Sequence, residues 1–268
     1  MRIATHDGVF HADDVFAVAA LKLVFGDVEV VRTRKPEILA EADIRVDVGG
    51  VDDPDTDDFD HHQRGGAGAR PNGIPYAAFG LVWKRYGYSI CGSGEVADIV
   101  DARLVQLVDA ADCGFKVVDA GFEGLLPYTI SHAISALNPS WHETVQDFDF
   151  NFGKARMFAG LILSREIEYA RGQVKAREIV RDAIAYGDDE VYIILEKFCP
   201  WQELVITESR ALFVLFPSET GDWRIQCVPP SIGSFEKRKP LPEEWAGKRG
   251  EELAAITGVS DAIFCHPG

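Results

Sequence analysis

The sequence predicts an α/β protein of two domains, an N-terminal one on a parallel sheet and a smaller α/β C-terminal one across a cleft. Three observations carry this expectation. Strand-like and helix-like segments alternate through the first fifty residues, a helix-compatible stretch covers residues 151–186, and the texture changes to short strands after Gly187. The chain has 268 residues, 47% of them hydrophobic and 26% charged, an ordinary globular mixture with length for two modest domains.

The elements follow in order. Arg2 to Thr5 reads as a strand. Ala12 to Phe25 places Val15, Val18, Ala19, Leu21 and Leu23 at helical spacing and stops near Gly26. Val28 to Thr33 is β-branched and strand-like. Pro36 opens a short helix through Ala42, as proline does in a first turn. Ile44 to Val48 is a strand closed by Gly49-Gly50. Strand–helix–strand–helix–strand at this spacing predicts right-handed crossovers in a parallel sheet. Residues 51–74 are loop-like and rich in Asp and Gly. Helices are expected from Pro75 to Tyr86 and from Gly94 to Ala111. Beyond Gly187, strands are expected at 191–195, 212–216, 223–228 and 263–265, with a helix over 243–256. The expected organisation is therefore residues 1–150 as an N-terminal domain, 151–187 as a connecting helix and 188–268 as a C-terminal domain. There are no internal repeats.

Composition narrows the function. No apolar run approaches the roughly 20 residues that span a bilayer, and the N-terminal MRIATHDG has no targeting pattern, so cytoplasmic residence without membrane association is expected. Five cysteines without a C-x-x-C pair argue against a disulfide framework or zinc ribbon. The formal net charge of −16 opposes non-specific grip on nucleic acid, which needs Lys and Arg.

Four of the seven histidines, His6, His11, His61 and His62, fall within the first 62 residues beside Asp7, Asp13, Asp14, Asp47 and Asp60. His6 ends the first strand, His11 to Asp14 form the following loop and helix start, and Asp47 lies near the end of the third strand. Ligands bind outside the carboxyl ends of parallel strands, so these segments can converge. Imidazole with carboxylate favours Mn, Fe, Zn or Co over calcium. Several aspartates near several histidines can hold two ions about 3.5–4 Å apart, with Asp47 bridging, and acidify a shared water. Structural explanations exist for single residues. His6 alone reads more often as a satisfied core histidine, Asp13 and Asp14 as carboxylates that favour the helix dipole, and Asp52 to Asp58 as a solvated acidic loop. Asp60-His61-His62, in a Gly/Asp loop, has no such explanation.

Asp60-His61-His62 resembles the signature of the DHH phosphoesterase superfamily, which holds exonucleases, oligoribonucleases, cyclic-dinucleotide phosphodiesterases and pyrophosphatases. His6 with His11-Ala12-Asp13 looks like its first motif, with His in place of the first Asp and one extra residue of spacing. Asp47 matches the lone Asp of the next motif, and the VDAADCG segment at 108–114 looks like the fourth. More specifically, THDGVFHADD, VRTR, DVGG, DHHQR, VDAADCG, LNPSW, CPW, SIGSFEKRKPLPEEW and IFCH are similar to the melanocyte-proliferating-gene-one family, over nearly the whole chain. The resemblance implies a DHH-type N-terminal domain and a metal-dependent 3′–5′ exonuclease acting on RNA, with divalent metal, Mn²⁺ first, as one or two ions. It implies His6, His11, Asp13, Asp47, His61 and Asp112 as ligands, with Asp109 competing with Asp112. Asp60 would orient His61, and His62 would contact the scissile phosphate. Relatives continue past His266-Pro267-Gly268 through a Gly-rich loop and a helix, so a truncated C-terminal domain is expected.

Ser234, Lys237 and Arg238, in the basic stretch 231–239, are candidate phosphate-backbone contacts, as are Arg32, Arg34 and Arg64. Phe235 could stack on a base, whereas core packing is the better reading of Trp245. The expected partner is RNA or a short oligonucleotide, with a homodimer as a further expectation. The rivals are a small phosphoester substrate (cyclic dinucleotide, nucleoside bisphosphate or pyrophosphate), a non-catalytic metal or nucleotide sensor, and a structural acidic domain.

Overall fold

The computed structural model describes residues 1–118, 124–187 and 191–267. The chain divides into two compact units, Met1–Arg171 and Gly172–Gly268. Residues 188–190, where the sequence places the start of the C-terminal domain, lie outside the described residues.

The first unit opens as expected, with β1 (Arg2–Thr5), α1 (Ala12–Phe25), β2 (Glu29–Arg32), α2 (Pro36–Leu39) and β3 (Ile44–Val46). Strands β4 (Asp52–Asp53) and β5 (Asp58–Phe59) complete a five-stranded sheet of order β2-β1-β3-β5-β4, parallel except for β4. The chain leaves β1 for β2 on one side and returns to β3 on the other. The carboxyl ends of β1 and β3 therefore flank a topological switch point, where open α/β sheets bind ligands. The expected loop over 51–74 is corrected here, because its first part pairs into β4 and β5. Arg45 on β3 forms an ion pair with Asp58 on β5. That long-range partner offsets the poor strand propensity of an Asp-rich segment.

Helices α3 (Ala78–Cys91), α4 (Gly94–Val100), α5 (Gln106–Asp112), α6 (Ile130–Ser135) and α7 (Phe148–Tyr186) follow. Helix α3 starts three residues after the expected Pro75, because Pro75 bridges Ala69 and the Tyr76 amide donates to Gly68. The expected helix from Gly94 is interrupted by a π-helical turn over Asp101–Val105 before α5. Helix α1 is buried from Ala12 through Leu21, which explains its apolar residues on every face. It packs on α3, with the rings of Phe16 and Phe79 stacked at 5.3 Å.

The division between the units falls within α7. The second unit contains β6 (Tyr192–Ile194), α8 (Gln202–Glu208), β7 (Phe213–Pro217), β8 (Trp223–Cys227) and α9 (Gly250–Thr257). Its sheet has the order β6-β7-β8, with β6 parallel and β8 antiparallel to β7. Val180, Ile193, Leu195, Trp201, Val205, Val214 and Phe216 form its own core. Two C-terminal expectations are corrected. The helix over 243–256 separates into a 3₁₀ turn at Glu243–Trp245 and α9, because Gly247 between them and Gly250 at the start of α9 take φ of 75° and 48°. The strand at 263–265 reduces to a single bridge, Phe264 with Arg249.

Candidate metal centre

The strand ends deliver the side chains. His6 follows β1, and its Nδ1 lies 3.1 Å from the Asp7 carbonyl, which leaves Nε2 facing the crevice. Strand β3 stops at Val46, two residues short of expectation, because Asp47 takes φ 53°, a left-handed conformation rare outside glycine. Such strain concentrates at functional sites. The Asp47 amide still pairs with the Phe59 carbonyl at 2.9 Å. His61 comes from the segment after β5. His11 caps α1, its backbone N–H donating to Asp14 Oδ1 at 2.8 Å, and Asp13 and Asp14 sit in that helix's first turn. Asp112 is the last residue of α5.

These groups meet in one place. His6 Nε2 is 3.2 Å from Asp14 Oδ2 and 3.3 Å from Asp47 Oδ2. His61 Nε2 is 3.4 Å from Asp47 Oδ1 and 3.1 Å from Asp112 Oδ2. Asp47 thus offers one carboxylate oxygen to each histidine. Three sets of donor atoms lie within 4.8 Å of one another: His6, His11 and Asp47; Asp47, His61 and His62; and His11, Asp13 and Asp112. Asp47 belongs to two of them, as does His11.

The chemistry of the donor set fits a divalent cation. Both oxygens of Asp13, one each of Asp14 and Asp47, and Nε2 of His61 are buried without a hydrogen-bond partner among the described residues. Burying bare carboxylates is expensive unless a cation or a proton compensates. In the metal-free protein, protons do so. Burial, with the neighbouring charges of Asp47 and Asp112, pushes the Asp13 carboxyl well above the usual range. Burial works against the charged form of His6 and His61, yet the facing carboxylates outweigh it and hold each ring up to about 10. Burial also raises Asp47, but His6 and His61 outweigh it and bring the group below its ordinary value.

Several sequence expectations are corrected. Asp60 orients His62 rather than His61: its Oδ1 is 2.8 Å from His62 Nδ1 and accepts the His62 amide at 3.1 Å, while Oδ2 accepts from the Gly50 amide at 2.6 Å. Asp109 is turned away from the histidines. It accepts from Arg70 Nη1 at 2.8 Å and from the Gly80 amide at 2.9 Å, and burial pushes its carboxyl up to about 7. Asp112, three residues later, is the member of that motif facing His61. Arg32 is no free phosphate contact. Its side chain is 3% exposed, lies over the rings of Phe10 and Phe152, and donates to Asp149 Oδ1 at 2.8 Å and the Gly8 carbonyl at 2.7 Å. Arg34 binds the Asp7 carbonyl and carboxylate. In the second unit, Arg238 spends its guanidinium on the carbonyls of Ile206, Ser209 and Ala211. The Lys237 ammonium donates to the Phe235 carbonyl at 2.9 Å, and Ser234 Oγ accepts the Glu236 amide at 3.1 Å. Arg64 is exposed, as is Phe235, while Trp245 is half-buried.

Other residues of the centre escaped the sequence reading. Asn138, in the LNPSW segment, pairs both backbone groups of Phe10: it accepts the Phe10 amide at 3.1 Å and donates to its carbonyl at 2.9 Å. It fixes the loop just before His11, and the quoted motif was its only signal. Arg70 joins Asp109 to Asp101 and stacks on Tyr76 at 4.3 Å from the ring centroid. Among the described residues, no helix is long and apolar enough to cross a membrane.

Comparison with known proteins identifies the family. The model of the MYG1 exonuclease family, described as an uncharacterised protein family (UPF0160), matches residues 2–268. The chain is 33% identical to the human MYG1 exonuclease, over 99% of this chain and 80% of the relative. It is 34% identical to the MYG1 exonuclease of Rattus norvegicus, over 99% of this chain and 78% of that protein. It is 33% identical to a MYG1 protein of Saccharomyces cerevisiae, over 99% of this chain and 89% of the relative. No solved structure matches. With a family model spanning residues 2–268 and such relatives over nearly its full length, the chain belongs to the MYG1 exonuclease family.

Proposed function

We propose that this chain is a metal-dependent phosphodiester hydrolase that shortens RNA or short oligonucleotides from the 3′ end, with a DHH-type N-terminal domain and two Mn²⁺ ions as its working metal. The observation that carries this reading is the set of buried, unpartnered oxygens of Asp13, Asp14 and Asp47 facing His6 and His61 at the switch point. The exonuclease names of the relatives support the reaction class.

When bound, divalent ions supply an acidified water and neutralise charge on the phosphoryl group. The protein's own residues do the rest. His6, His11, Asp13, Asp47, His61 and Asp112 are assigned as ligands, with Asp47 shared between two positions. Asp60 fixes His62 through Nδ1, and the His62 ring, 63% exposed, remains available to the scissile phosphate. Arg64 and Lys237 are proposed as strand contacts, and a soluble cytoplasmic homodimer as the working form. The net charge of −16 favours a second reading, in which the same residues hydrolyse a small phosphoester such as a cyclic dinucleotide.

The test incubates the purified protein and Mn²⁺ with an end-labelled short RNA. Stepwise loss from the 3′ end, abolished by EDTA and by His61→Ala, is the expected result. Unchanged turnover in both His61→Ala and Asp47→Ala would overturn the assignment, and cleavage of a cyclic dinucleotide alone would select the second reading.

A further inference from the structure

A cavity of about 420 Å³ opens beside the candidate metal centre. One wall carries His11, His62 and Asp112; the other carries Ser131, His132 and Ser135 of α6. The volume sits at the lower end of the roughly 300–1,000 Å³ of small-ligand sites, so it suits one nucleotide-sized group. Among the described residues, no Lys or Arg lines it. Charge neutralisation is left to the His/Asp side, and the α6 wall offers neutral hydrogen-bonding groups only.

His132 is the distinctive member of that wall. Its Nδ1 accepts the backbone N–H of Thr129 at 3.1 Å and lies 2.9 Å from Thr129 Oγ1. A backbone amide can only donate, so Nδ1 presents its lone pair and we assign the ring proton to Nε2. The Tyr128 ring stacks on the imidazole with centroids 5.6 Å apart, which steadies the ring plane. The result is a fixed Nε2–H donor on a cavity wall, with Ser131 and Ser135 one helical turn apart beside it. Non-bridging phosphate oxygens, which only accept hydrogen bonds, match such a wall.

We infer that this cavity is the subsite for the terminal nucleoside monophosphate unit, and that His132 donates through Nε2 to a non-bridging oxygen of its phosphate. The inference rests on the hydrolase reading above and names a recognition residue that the His/Asp cluster does not contain. A hydrogen bond to an ionised acceptor corresponds to roughly 10- to 100-fold in affinity.

The experiment uses full-length protein loaded with Mn²⁺ and compares wild type with His132→Ala, His132→Gln and His132→Asn. It measures KM and kcat on a short oligoribonucleotide, the inhibition constant of adenosine 5′-monophosphate, and Mn²⁺ affinity by calorimetry. A Gln amide nitrogen can take the place of Nε2, whereas an Asn amide nitrogen takes that of Nδ1. The expected result is a rise of about tenfold or more in KM and in the inhibition constant for Ala and Asn, substantial recovery in Gln, and unchanged Mn²⁺ affinity. Equal KM and inhibition constants in all four proteins would overturn the inference while leaving the hydrolase reading intact, as would equal losses in Gln and Asn. A wild-type protein that neither binds Mn²⁺ nor cleaves would remove the hydrolase reading itself.

Discussion

Asp13 shows at the scale of one residue what the centre demands. Its carboxylate is fully buried and both oxygens lack a partner among the described residues, so a metal-free fold can tolerate it only by keeping a proton on it. Asp13→Asn removes that burden and also a ligand. The variant is expected to gain a few degrees in metal-free Tm and to lose Mn²⁺ binding, both readable by scanning calorimetry with and without metal. A lower metal-free Tm would mean that Asp13 is a structural group. The histidines carry a second prediction, on pH. His6 and His61 hold their protons to about 10 in the metal-free fold, against an ordinary value of 6.5. Their protonation therefore stabilises that fold fully below pH 6.5, and this contribution is lost as pH rises toward 10. Metal ligation needs neutral imidazole. The Tm gain on adding Mn²⁺ is thus expected to widen from pH 6.5 to pH 9, and a constant gain would contradict the assignment of these two rings.

At the scale of elements, the supports of the centre are long-range. Asn138 holds Phe10 across 128 positions in sequence, next to His11. Asn138→Ala is expected to weaken Mn²⁺ binding about 10- to 100-fold, as lost outer-shell support does, with Asn138→Asp recovering only the bond to the Phe10 amide; calorimetric titration reads both. Arg70 and Asp109 pin the segment after His62 to α3 and α5. Arg70→Met would leave Asp109 buried without its cation, at a cost of about 3–5 kcal/mol. Gly80→Ala would place a methyl carbon 1.8 Å from Asp109 Oδ2. Both should unfold well before wild type in denaturant titrations. The sequence displayed α1, β1, β2 and β3 because their hydrophobic periods are local. His6 and Asp47 stood out because each follows a strand that the sequence displays, whereas His61 stood out only through the Asp60-His61-His62 run in a segment read as a loop. It did not display β4 and β5, whose pairing depends on Arg45, or the π-helical turn ahead of α5. The partner of Asp60 was misread because His61 and His62 are indistinguishable until Asp60 Oδ1 is seen to take both the amide and Nδ1 of His62. Arg32 and Arg238 read as free cations because a sequence does not reveal which carbonyls a guanidinium will meet.

At the scale of the whole molecule, charge is the dominant fact. In a chain of net charge −16, three of the cations that the sequence offered to a phosphodiester strand, Arg32, Arg34 and Arg238, are bound to the protein's own backbone. Affinity for RNA should accordingly change little between 50 and 200 mM salt, as expected when few phosphates are contacted. Measuring KM on oligonucleotides of increasing length across that range checks this. A slope that steepens with length would reveal a basic track extending beyond the centre.

Asp47, between His6 and His61, is assigned as the organiser of a two-ion centre. Calorimetric titration of the metal-free protein with Mn²⁺, paired with the same titration of Asp47→Asn, decides this assignment. Two ions per wild-type chain are expected, with loss of tight binding at both positions in the variant. Wild-type protein that takes up no Mn²⁺, or an Asp47→Asn variant that binds as wild type does, would contradict it.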